Sequence, residues 1–216
     1  MHLYAPPPVP FLVALDTGSA TFWLQCGCRS CARSFQKSQQ QINLYSYNYN
    51  TSQTSDVVEV VYMAKNTSTR GILVKDVMHL ETYDNNHTRS SAPVIFGCGQ
   101  VEPGDFLDVG PVNRRLLGFG YGALDVTSLL SSQGLVRNSF SMCFAPNGYG
   151  RIARDKGADD QIFTPLLRPS DKSPYYNIQI EDISLENVAI NVSLLVALFD
   201  SGATLTKRHT PWSPKM

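Results

Sequence analysis

The sequence predicts a mostly β fold with a minor share of helix. Apolar runs are short, rich in Val and Ile, and interrupted at close intervals by Gly, Pro, Ser or Asn. The clearest helix signal is confined to "VTSLLSSQGL" (126–135). One strand pattern also occurs twice, as "LVALDTGSAT" (12–21) and "LVALFDSGAT" (195–204). In each copy an apolar run leads into Asp, a hydroxyl residue and Gly.

The elements follow in chain order. Residues 1–10, "MHLYAPPPVP", read as a polyproline lead-in and lack the charged and apolar regions of a signal peptide. The first strand ends on Asp16, and Ala20–Gln25 is expected to return beside it. "CGCRSC" (26–31) makes a tight turn, and the polar stretch 33–56, without periodicity, reads as a surface loop. The runs 57–63 and 71–83 flank "AKNTSTR" and predict a hairpin with a long tip. "APVIFGCG" (92–99) is a buried strand stopped by glycines. Thr127 is expected to cap the short helix and Gly134 to end it. "NSFSMCF" (138–144) and "YYNIQIEDISL" (175–185) are strands, the second alternating at Tyr176, Ile178 and Ile180. The tail 206–216 carries neither strand nor helix signal.

Composition removes several function classes. The 216 residues carry 18 basic and 18 acidic side chains, with no block of either sign. That argues against a nucleic-acid groove or a basic membrane face. The apolar runs are too short to span a bilayer as a helix. At 43% hydrophobic and 17% charged, the chain is an ordinary globular one. Five cysteines and sequons at Asn50, Asn66, Asn86 and Asn191 favour an oxidising, secretory compartment.

The repeated triplet is the strongest signal. A chain of this composition carries ~0.14 Asp-[Ser/Thr]-Gly triplets by chance, so two, each after an apolar strand, occur in about 1% of chains or fewer. An Asp-x-Gly turn explains one copy without chemistry, but such turns sit comfortably between polar flanks. Here each strand carries a carboxylate to a fixed depth, against a desolvation cost of several kcal/mol in order of magnitude. If the loops meet, two carboxylates share one proton and titrate as a unit. One then takes a proton from water while the other gives one to a carbonyl oxygen.

On these motifs the chain resembles the pepsin-like aspartic proteases, and among them the atypical, cysteine-rich plant-type group. The resemblance runs through "VALDTGSATFWLQCGC", "NTSTRGILVKDVMHL", "VIFGCGQVEPGDFLD", "LLGFGYG", "SLLSSQGLVRNSFSMCF" and "LFDSGAT". It implies a bilobal β architecture of the pepsin type, with the second lobe largely missing from these residues. The expected divisions are a first lobe with inter-lobe strands at 11–165, the start of a second lobe at 166–206 and a divergent tail at 207–216. The resemblance further implies a catalytic pair, Asp16 and Asp200, activating a water that hydrolyses peptide bonds. Thr17, Gly18, Ser19, Ser201 and Gly202 would support the two loops, with Ser19 hydrogen-bonded to the first aspartate. Tyr62 would stand in the flap and close over substrate, and Trp23 would pack behind it.

The partner implied is a peptide or protein substrate; no cofactor is implied, and the chain is expected to be a monomer. Cys98 and Cys143 match cysteines that pair in the family. Cys26, Cys28 and Cys31 are further disulfide candidates. Three thiols could instead hold zinc, but no second Cys or His cluster completes four ligands, so no metal is expected. The glycine-rich stretches lack phosphate-loop spacing, and no nucleophile-elbow pattern surrounds Ser139 or Ser141. Ala203 stands where the family carries a hydroxyl. With few residues after Asp200, that carboxylate is expected to be loosely held, and "LLVALF" (194–199) to expose apolar surface. Weak or no activity in this chain is therefore expected. The alternatives are a pepsin-like homologue that binds peptides without cutting and an unstable gene-model fragment.

Overall fold

A computed structural model describes residues 9–27, 34–37, 40–62, 70–81, 89–101, 115–144, 150–153, 162–167, 175–186, 188–190 and 195–203. Cys28, Cys31, Asn66, Asn86, Asn191 and the tail lie outside them. Among the described residues the chain forms β1 (Ala14–Asp16), β2 (Trp23–Gln25), β3 (Ser34–Lys37), β4 (Gln40–Asn43), β5 (Asp56–Tyr62), β6 (Arg70–Glu81), β7 (Arg89–Val101) and β8 (Leu116–Gly118). Helix α1 (Val126–Ser132) follows, then β9 (Ser141–Phe144), β10 (Gly150–Ala153), β11 (Asn177–Ile180), β12 (Ile183–Leu185), β13 (Val188–Ile190) and β14 (Leu195–Leu198). The chain is mostly β, as its sequence predicts.

The central element is a six-stranded sheet ordered β1-β8-β2-β7-β6-β5. Its backbone is the long β6–β7 hairpin, with Val74 opposite Phe96 and Ile72 opposite Cys98. Period-two alternation turns Val74, Met78, Val94 and Phe96 inward onto Phe11, Phe22 and Leu24, and α1 closes the core with Val126 and Leu130. Burial of these side chains contributes about 1.5–3 kcal/mol each.

Four expectations change. Ala20–Gln25 does not return beside the first strand. Leu116–Gly118 lies between β1 and β2, parallel to β1 and touching β2 where Trp23 meets Leu116. The loop 17–22 must therefore pass around a third strand, and its Ser19 and Thr21 backbone packs closely on Gly118 of β8. The stretch 33–56 is not a plain surface loop: it holds the β3–β4 hairpin and a 3-10 turn at Tyr49–Thr51, and it buries Tyr47 in the core. Asp125 rather than Thr127 caps α1, because its carboxylate accepts the N–H groups of Thr127 and Ser128. Gly134 does end the helix region, at φ +71°. The run 175–185 is two strands, β11 and β12, which pair with β14 and β13.

Tyr47 is buried to reach Asp76, the one carboxylate in the inward row of β6. Asp76 is 2% exposed and accepts hydrogen bonds from Tyr47, Thr54, Ser52 (2.8 Å) and the Val77 N–H (2.7 Å). Burial pushes its pKa up, but these donors, led by the Thr54 and Tyr47 hydroxyls, outweigh it and hold the group below the usual carboxylate range. The cluster pins the 3-10 turn and the start of β5 onto β6.

Trp23 packs flat over Gly97, its register partner on β7. A Cβ at Gly97 would lie 1.6 Å from the indole ring. Gly97→Ala therefore evicts Trp23 from the core, and we expect a loss of about 3 kcal/mol in urea denaturation, with Trp fluorescence shifted red.

The cysteine pairing differs from that implied by the family. Cys98 bonds Cys26, and Cys143 is an exposed free thiol. The cause is the parallel pairing of β2 with β7, which sets Leu24 beside Cys98 and leads the Cys26 N–H to the Gly99 carbonyl. The two Cα atoms are thereby held 5.2 Å apart, within disulfide reach.

Candidate active site

The first aspartate ends β1, where pairing with β8 fixes the backbone: the Phe119 N–H donates to the Asp16 carbonyl. The second lies just past β14. Antiparallel pairing with β11 holds that strand, and the Phe199 N–H donates to the Tyr176 carbonyl. Tyr176 stacks edge-on with Phe140 at 5.8 Å, and Phe140 meets Phe119 at 5.0 Å. An aromatic relay thus ties the strand before Asp200 to the core beside Asp16.

The loops interlock through reciprocal bonds. The Thr17 N–H donates to Ser201 Oγ (3.0 Å) and the Ser201 N–H to Thr17 Oγ1 (2.9 Å), across 184 residues of chain. Each hydroxyl then donates to the opposite strand, Thr17 to the Phe199 carbonyl and Ser201 to the Leu15 carbonyl, both at 2.7 Å. Asp200 is therefore not loose, contrary to the expectation from its place in the chain. The four bonds need only residues 15–17 and 199–201.

The glycines bring the carboxylates together. A Cβ on Gly18 would lie 2.6 Å from the Asp200 carboxylate, and one on Gly202 would lie 2.5 Å from Asp16 Oδ1. Instead, the Gly18 N–H donates to Asp16 Oδ1 (2.9 Å) and the Gly202 N–H to Asp200 Oδ1 (2.8 Å). Asp16 is 8% exposed. Burial pushes its pKa up to about 6; the Gly18 N–H opposes this, and the Asp200 carboxyl adds to the rise by hydrogen bond and by charge. A cavity of about 170 Å³ lined by Ala14, Asp16, Gly18, Leu116, Asp200 and Gly202 has room for ordered water.

Ser19 does not bond Asp16; its hydroxyl donates to the Thr21 carbonyl at 3.3 Å. Tyr62 is the last residue of β5, in register with Arg70, at the base of the hairpin tip. Trp23 is buried in the sheet core, consistent with packing. The apolar face expected at 194–199 is present among its described residues, with Val196 62%, Leu198 43% and Phe199 58% exposed. The sequence reading missed Tyr47 and Asp76. A lone Asp among inward-facing Ile72, Val74, Met78 and Leu80 was the available signal.

Thr17→Val removes one donor and one acceptor of the interlock. We expect hydrogen exchange at the Ser201 amide to accelerate about 10- to 100-fold, the equivalent of a buried bond worth 1–3 kcal/mol.

Two apolar strands bringing two Asp-hydroxyl-Gly loops into reciprocal contact define an aspartic-protease-type site. The family model described as xylanase inhibitor N-terminal matches residues 4–153. Aspartyl protease family protein 1 of Arabidopsis thaliana is 38% identical over 91% of this chain and 42% of its own length. Aspartic proteinase-like protein 1 of the same plant is 34% identical over 93% of this chain and 44% of its own. Pepsin A of Rhinolophus ferrumequinum is 28% identical over 94% and 53%. The chain belongs to the pepsin-like aspartic protease family. It spans about half the length of the curated relatives it matches.

Proposed function

We propose that the chain carries the catalytic pair of an aspartic endopeptidase acting on peptide or protein substrates in the secretory pathway. The observation that supports this most is the contact between Asp16 and Asp200, with burial raising Asp16 to about 6. Two carboxylates in such contact favour a state in which one proton lies between them. A water in the cavity would lose a proton to the ionised member and attack the scissile carbonyl. The protonated member would donate to the developing oxyanion; the carboxyl that took the water's proton would then pass it to the scissile nitrogen, and collapse of the tetrahedral centre, with a hydroxyl proton returning to the other carboxylate, would expel the amine. The Gly18 and Gly202 N–H groups hold the carboxylates in place for this exchange. Tyr62 is proposed as the flap residue over the substrate. The family's members are generally secretory, and the Cys26–Cys98 disulfide fits an oxidising compartment.

A second reading, a homologue that binds peptides without cutting them, is favoured by one observation: Ser201 and Gly202 are exposed while Asp16 and Thr17 are buried. A site open on one side excludes water poorly. The deciding experiment assays the chain on denatured protein across acidic to neutral pH, beside Asp16→Ala and Asp200→Ala. Cleavage abolished by both substitutions supports the protease; equal background in all three, with peptide binding retained, supports the second reading.

A further inference from the structure

We propose that Asn50 is an N-glycosylation site, and that the glycan is added before the Asp76 cluster closes. The inference rests on the secretory reading above. Asn50-Thr51-Ser52 is a sequon, and Asn50 is exposed on the 3-10 turn Tyr49–Thr51. Asn48 caps that turn by accepting the Asn50 backbone N–H at 3.1 Å, a bond that does not engage the exposed Asn50 side chain. The turn anchors to the middle of β6. In sheet order β6 is four strands from β1, on the order of 20 Å at ordinary strand spacing, so a glycan there leaves the catalytic loops clear.

The timing follows from Ser52. Transfer needs the sequon hydroxyl free to engage the transferring enzyme beside the asparagine amide. In the folded chain that hydroxyl donates to Asp76 Oδ2 at 2.8 Å and also accepts from the Thr54 N–H at 3.3 Å. Asp76 is held ionised by its donors, so this bond is charge-assisted and does not release the hydroxyl readily. The next sequence neighbours are fixed as well, since Thr51 Oγ1 donates to the Asn48 carbonyl at 2.9 Å. The sequon is thus competent while the chain is extended and closed once Ser52 docks. In the transfer, Asn50 Nδ2 attacks the anomeric carbon of an oligosaccharide carried on a lipid pyrophosphate. The C–O bond to phosphate breaks, the lipid pyrophosphate leaves with its electron pair, and the amide proton passes to a base of the transferring enzyme.

The test has two arms. The chain is expressed behind a signal sequence in a eukaryotic host, and its peptides are mapped after enzymatic deglycosylation in heavy-oxygen water. The expected result is label at Asn50, lost in Asn50→Gln and kept in Ser52→Thr. An unmodified Asn50 in a chain labelled at Asn66 or Asn86 overturns the site while leaving the secretory reading intact. An entirely unlabelled chain, shown by protease protection to lie in the lumen, also overturns it. In the second arm, unmodified chain is offered to glycosylation-competent microsomal extract either folded or reduced and unfolded. We expect transfer to the unfolded form at least tenfold faster; equal rates overturn the timing.

Discussion

Under the proposed peptidase function, Asp16→Asn is expected to lower peptide-bond cleavage about 10⁴-fold, the upper range for loss of a general acid–base group, while making the folded chain more stable at neutral pH. The second effect follows from the direction of the shift. The folded pKa of Asp16 lies at about 6, against an ordinary value of 3.8. Between those values the folded chain binds the proton and the unfolded chain does not. Stability from this group is therefore full below about pH 4 and declines as pH rises towards 6. Asparagine is neutral throughout, keeps an acceptor for the Gly18 N–H, and avoids burying the charge. After allowance for the cavity's access to solvent, we expect Asp16→Asn to gain about 1–2 kcal/mol at pH 7 and nothing near pH 4. Urea denaturation at the two pH values measures it. A variant that is destabilised at neutral pH contradicts the burial argument, whatever happens to activity.

Removing the Cys26–Cys98 bridge is expected to cost about 4 kcal/mol, because it closes a long loop and so restricts the unfolded chain. The bridged residues are 72 apart in sequence, and both are fully buried. The double variant Cys26→Ala/Cys98→Ala should show this as a lower urea midpoint with a larger unfolded-state exposure. Reduction of the parent chain should proceed only as fast as the sheet opens, since no reductant reaches the sulfurs in the folded state. Rapid reduction of native chain, or reduction that frees Cys143 along with Cys98, contradicts the pairing. Cys143 lies on β9, opposite Arg151 of β10, and stays accessible to alkylation throughout.

What the sequence by itself determined was the local chemistry. Two apolar strands ending in Asp-hydroxyl-Gly singled out Asp16 and Asp200 as the candidate pair, because a carboxylate at that depth is rare unless something uses it. The β-rich runs placed the β5–β6 hairpin, the apolar run 92–99 placed a buried strand within β7, and Gly134 marked the end of α1; those signals act over a few residues. Partners distant in the chain were decided by the tertiary structure. Insertion of β8 between β1 and β2 joins segments about a hundred residues apart, and no local pattern announces it. The loop that carries Thr17 passes around that strand, and Thr17 meets Ser201 across 184 residues. The parallel pairing of β2 with β7 chose Cys26 over Cys143 as the partner of Cys98. Asp76 became a hub because period two turned it inward, where Tyr47, Ser52 and Thr54, from a stretch read as loop, join the Val77 N–H in satisfying its charge. The position of Asp200 near the end of the chain suggested a free carboxylate. Its fixation depends on four hydrogen bonds and an aromatic relay that exist only once both loops are in place.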